Sequence, residues 1–130
     1  MQAYPLTSLA TVLLAVLMIF TVLQVARARR KSGIAPPAMT GDPLLERALR
    51  AQMNTLEGVA IFLPLLWLLA IWWTDQIAAI CGLLWCVLRL WYALAYVKAA
   101  RQRILPFALS FTLINLSVIG VLAGIIRHWF

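Results

Sequence analysis

Three arginines, a glutamate, an asparagine and two tyrosines fall at spacings that could assemble one site. Arg50, Asn54 and Glu57 stand at i, i+4 and i+7, so a helix puts them on one face. Arg47 continues that stripe and Gln52 stands off it. Arg89, Tyr92 and Tyr96 stand at i, i+3 and i+7 and share a face of a later helix. Arg103 falls two turns beyond Tyr96, near the same seam if the helix continues. A guanidinium offers a planar fork of donors that suits carboxylates. Asparagine and glutamine match peptide amides, and tyrosines bring hydroxyls on apolar rings. The set describes a pocket for a polar, anionic ligand, rimmed by arginines.

The elements that must carry these residues are unusually apolar. Of 130 residues, 65% are hydrophobic and 12% charged. Mean hydropathy is +0.95. A soluble domain is nearer half apolar and a quarter charged, and a disordered chain is more polar still. What remains is an all-α integral membrane bundle, one domain over residues 1–130, with about four spans of ~20 residues each. The expected spans are 6–26, 44–73, 77–97 and 104–126, with basic loops at about 27–43 and 98–103. No basic residue precedes Leu6, so the first span is expected to stay uncleaved. Asp42 is a candidate N-cap before Pro43. Pro64 is expected to bend the second helix, and Thr74 to Gln76 to form a tight turn.

Net charge is +7. In a soluble chain that would suggest nucleic acid; here it reads as topology, and no nucleic-acid partner is expected. Arg27, Arg29, Arg30, Lys31, Arg47, Arg50, Lys98, Arg101 and Arg103 all fall on the side of the first and third loops. The other side has Asp75 and Arg127, with Trp72, Trp73 and Trp129 as an interfacial belt. The basic loops are therefore expected in the cytoplasm, and could also touch anionic lipid. Depth connects the two polar stripes. Glu57 lies ~15 Å past Arg47 along its helix, and Arg89 ~14 Å before Lys98. On antiparallel neighbours the two could pair, either as a lock for the bundle or as part of the pocket.

The segment Glu46-Arg47-Ala48-Leu49-Arg50-Ala51-Gln52-Met53-Asn54-Thr55-Leu56-Glu57 closely resembles the signature of the MAPEG family. These are membrane-associated proteins of eicosanoid and glutathione metabolism. A second match is Arg89-Leu90-Trp91-Tyr92-Ala93-Leu94-Ala95-Tyr96, followed by Arg103 and Pro106. A weaker third is Ala28-Arg29-Arg30, then Pro36-Pro37 and Gly41. The resemblance implies a homotrimer of four-helix subunits with glutathione as co-substrate between adjacent subunits. By resemblance, Arg29, Arg50, Gln52, Asn54, Glu57, Tyr92 and Tyr96 bind the tripeptide, and Arg89 is grouped with them through Glu57. Arg103 looks like the arginine that stabilises the glutathione thiolate, and Arg30 like one that assists on the electrophile side. The expected activity is that of a glutathione transferase or peroxidase acting on a hydrophobic electrophile or a lipid hydroperoxide. The alternative is a non-catalytic family member that binds glutathione or lipid. Two positions depart from the pattern: Gly58 stands where synthase-type members have tyrosine, and Ala95 where glycine is common.

Other features point elsewhere with less force. Cys81 and Cys86 lie five apart in one span, which is no metal pattern and suits packing. His128 stands alone, so no metal is expected. Gly120 and Gly124 form a small-xxx-small pair that favours close helix contact. A four-span proton-coupled exporter would need an unpaired membrane carboxylate, whereas Glu57 has Arg89 as a candidate partner. The compact four-span chain fits a bacterial inner membrane.

Overall fold

The computed structural model describes residues 3–130. Four long helices fold up and down: α1 Pro5–Ser32, α2 Pro43–Trp72, α3 Asp75–Lys98 and α4 Ile104–Trp129. A short 3-10 turn, Ala100–Arg103, joins α3 to α4. All four helices are long and apolar enough to cross a bilayer. Leucines, isoleucines and valines remain exposed along every one of them, as hydrocarbon contact requires. The protein is a multi-pass membrane bundle.

Helix boundaries follow local chemistry. The Asp42 side chain accepts from the Leu45 N–H at 2.9 Å, with Pro43 at the first helical position. Thr74 caps α3 in the same way, accepting from the Ile77 N–H at 3.1 Å. The link between α2 and α3 is thus shorter than the expected turn, because Asp75 and Gln76 are already helical. Pro64 lies inside α2 without ending it. α1 does not stop where the charge begins: Arg27, Arg29, Arg30 and Lys31 sit on its last turns, and Gly33 ends it at φ 72. Those cations face the negative end of the helix dipole, which favours continuing the helix over unwinding it. The basic stretch 27–43 is therefore helix first and loop second.

One end of the bundle is tightly stitched. Tyr4 gives α1 no side-chain cap. Instead the Asp75 carboxylate accepts from the backbone N–H groups of Leu6 (2.9 Å) and Thr7 (2.7 Å) and from the Thr7 hydroxyl (2.7 Å). Trp73 Nε1 donates to the Gly120 carbonyl at 2.8 Å. A Cβ at Gly124 would come within 2.8 Å of Trp72 Cβ and 2.9 Å of Trp73 Nε1, so only glycine lets α4 approach α2 this closely. The small-xxx-small pair thus works within the chain. Below this end, Phe62 stacks on Trp85 at 4.8 Å in a core with Leu14, Leu17, Leu66 and Ile114. Cys86 belongs to this core and Cys81 packs against it.

Candidate functional site

The opposite end carries the polar residues. α2 and α3 meet there with Arg47 Nε donating to the Val97 carbonyl at 3.2 Å. This contact fixes the register of the two polar stripes. The 3-10 turn then brings Arg103 back against Tyr96, its guanidinium carbon 4.6 Å from the ring centre. The result is a cleft of about 310 Å³ lined by Arg50, Asn54, Tyr92, Tyr96, Arg103, Ile104 and Phe107. Tyr92 and Tyr96 stand edge to face at 5.6 Å and form one wall. A smaller hollow of about 160 Å³ shares Asn54 and Phe107 with it and runs deeper, past Glu57, Gly58, Arg89 and Ser110.

Arg89 organises the floor. It is 3% exposed. Its NH2 group donates to Asn54 Oδ1 at 2.9 Å and to Thr55 Oγ1 at 3.2 Å, and NH1 donates to Ser110 Oγ at 3.3 Å. Asn54 in turn donates to Glu57 Oε2 at 3.3 Å. The arginine therefore meets the glutamate through an asparagine, where direct pairing was one expectation. Its guanidinium carbon also lies 4.1 Å from the Tyr92 ring centre, within range of a cation–π contact. A fixed amide, two outer guanidinium groups and two aromatic walls can orient a polar anion.

The cleft and its deeper hollow collect seven of the expected residues: Arg50, Asn54, Tyr92, Tyr96 and Arg103 in the first, Glu57 and Arg89 in the second. Three stand apart. Gln52 is half-buried on α2 and lines neither hollow. Arg29 NH1 donates to the carbonyls of Ile34 (3.2 Å) and Ala38 (2.8 Å), fastening the loop after α1. Arg30 borders a separate cleft with Arg27 and Lys31. Thr55, Ser110 and Phe107 had not been singled out. Ser110 had a signal available, since a serine inside the charge-free fourth span must find a partner. Gly58 also gains a physical role: a Cβ there would lie 2.9 Å from the Trp85 ring. The buried indole fills the space beside the glycine.

The fold is a four-helix membrane bundle with an arginine-rimmed polar cleft at one end. The chain belongs to the MAPEG family, whose model matches residues 7–123. It is 47% identical over 121 residues to an uncharacterised protein of Synechocystis sp., covering 93% of this chain and 85% of that one. It is 40% identical over 105 residues to leukotriene C4 synthase of Bos taurus, covering 78% and 70%. It is 40% identical over 111 residues to microsomal glutathione S-transferase 2 of Mus musculus, covering 82% and 75%.

Proposed function

We propose that the protein is a glutathione-dependent membrane transferase or peroxidase that acts on lipophilic electrophiles through an arginine-stabilised glutathione thiolate. The observation that carries this reading is the cleft itself: Arg103 beside Tyr96, facing Arg50 and an Asn54 amide held by Arg89. Relatives named for glutathione transfer support the substrate. In this reading Arg50 and Asn54 hold the tripeptide against Tyr92 and Tyr96, and the sulfur lies near Arg103. An unperturbed thiol has a pKa of ~8.5, and the thiolate is the nucleophile. Lowering that pKa by two units takes ~2.7 kcal/mol, within reach of one guanidinium in a partly dry site. The sulfur lone pair then forms a C–S bond, and the displaced pair leaves on the electrophile and takes up a proton. With a hydroperoxide the sulfur attacks the outer oxygen, the O–O bond breaks and the alkoxide leaves as the alcohol after taking up a proton. A second glutathione then reduces the sulfenic acid to give the disulfide and water.

Glu57 and Arg50 are exposed on the flank of the single chain. Charge facing hydrocarbon is costly. We therefore assign this flank to a homotrimer interface, across which Arg29, Arg30 and Gln52 of a neighbouring copy complete the site. The basic end faces the cytoplasm of a bacterial cell, following the positive-inside rule.

The test is a glutathione titration of the purified protein, following thiolate absorbance in the ultraviolet at neutral pH, with Arg103→Ala beside it. The expected result is a saturable thiolate signal that the variant loses while it still binds glutathione, with turnover of a model electrophile at pH ~7 falling ~25-fold as the thiolate fraction drops with a pKa rising from ~6.5 to ~8.5. Binding without a thiolate in the parent protein would support the non-catalytic alternative. A variant with normal turnover would remove Arg103 from the mechanism.

A further inference from the structure

A second cleft opens at the same end of the bundle, between the last turns of α1, the start of α2 and the end of α3. Its volume is about 360 Å³. Arg27, Arg30 and Lys31 border it and are all exposed, while Leu44 and Val97 make an apolar wall. Every charged residue lining it is cationic. Gln24 also lines it. That side chain is 9% exposed, and its amide oxygen has no hydrogen-bond partner among the described residues. A buried amide atom without a partner is costly, so a ligand that lets this amide pair is favoured.

Deeper along the same two helices the seam between α1 and α3 is lined mainly by apolar side chains. One turn before Gln24 is Phe20, and two turns before Val97 is Leu90. These two line a hollow of about 270 Å³ with Leu17, Leu83 and Val87. A further apolar hollow of about 460 Å³ shares Leu13 and Leu83 with it and extends toward Leu6. A cationic mouth with a buried amide, leading into an apolar groove at membrane depth, has the form of an amphiphile with an anionic head.

We propose that this cleft and groove hold one anionic phospholipid, with its phosphate among Arg27, Arg30 and Lys31 and an acyl chain along the α1–α3 seam. A hydroxyl-bearing headgroup meets the Gln24 amide. Arg30 is shared with the interface proposed for glutathione, while Arg27, Lys31, Gln24 and the groove lie apart from the Arg103 cleft, which is lined from α2, α3 and α4, so the lipid seat is tested through those groups and not through Arg30.

The test uses the full chain in detergent, titrated with phosphatidylglycerol or with phosphatidylcholine of the same acyl chains, and counts retained lipid by native mass spectrometry. One phosphatidylglycerol per chain is expected, with phosphatidylcholine lost. Arg27→Gln with Lys31→Gln should weaken retention roughly thirtyfold, the effect of two basic groups at an anionic surface. Val87→Trp, which fills the groove and leaves the charge intact, should also weaken it. Glutathione affinity should stay unchanged in both variants. Equal retention of the two lipids would overturn the proposal, as would full retention by the double variant. Retention by Val87→Trp equal to the parent would reduce the effect to surface charge and overturn the seat. Displacement of the lipid by millimolar inorganic phosphate would show a free-anion site and overturn the lipid assignment.

Discussion

The two ends of the bundle are built on opposite plans. At the tryptophan end, polar groups are satisfied by one another: Asp75 caps α1, and Trp73 bonds the Gly120 carbonyl. Gly124 lets α4 touch α2. At the arginine end the helices leave clefts of about 310 and 360 Å³ bordered by cations. The contrast follows from how the few acids are used. The chain has four acidic residues against eleven basic ones. Asp42 and Asp75 accept backbone N–H groups at helix starts, Glu46 accepts from the Gly41 N–H, and Glu57 takes the Asn54 amide. Cations at the arginine end are left for carbonyls, rings and ligands. Internal hydrogen bonds and the α2–α4 contact hold the fold at one end, and the other end is free to be polar.

The strongest test of that division is to overfill the closed end. Gly124→Leu forces atoms into space already occupied by Trp72 and Trp73. Overpacking of this kind costs about 1–3 kcal/mol. The melting temperature in detergent should fall, and if the variant still folds its glutathione affinity should match the parent within about twofold. A parallel loss of affinity would mean that the two ends are mechanically coupled, and the comparison would fail.

A smaller effect with the reverse signature is expected from Arg89→Met, which keeps most of the volume and removes the forked donors. Ser110 already donates to the Phe107 carbonyl, and Thr55 lies within α2, so both hydroxyls have helix carbonyls to turn to. Asn54 loses the 2.9 Å bond that fixes its amide. Glutathione affinity should weaken about tenfold, or ~1.4 kcal/mol, while the melting temperature moves less than in Gly124→Leu. Calorimetric titration checks the first quantity and a thermal melt the second. Unchanged affinity would show that Asn54 does not orient the ligand.

Much of this arrangement was legible in the sequence, and the residues show where legibility ends. Charge-free stretches marked the helices because a span must be apolar. Helical periodicity placed Arg50 with Asn54 and Tyr92 with Tyr96, and the cleft collects both pairs with Arg103. Periodicity assigns faces, however, and rotamers decide partners. Glu57 and Arg89 were matched by depth, yet Asn54 stands between them. Asp75 shows a harder limit. It caps a helix 68 residues earlier in the chain, which no local signal can specify. The extension of α1 to Ser32 was obscured because charge ends a hydrophobic span but does not end a helix.

Trp73→Phe should give the smallest change and the sharpest reading of the closed end. It keeps an aromatic ring against Gly124 and removes the donor to the Gly120 carbonyl. Interhelical hydrogen bonds within membranes average only ~0.6 kcal/mol, because the separated helices find other partners. Packing, by contrast, has no substitute once the helices part. If packing dominates here, Trp73→Phe should lower the melting temperature by far less than Gly124→Leu and leave the Arg103 cleft untouched. A loss as large as that of the glycine variant would place the hydrogen bond, and not the close approach of α4 to α2, at the centre of what holds this end together.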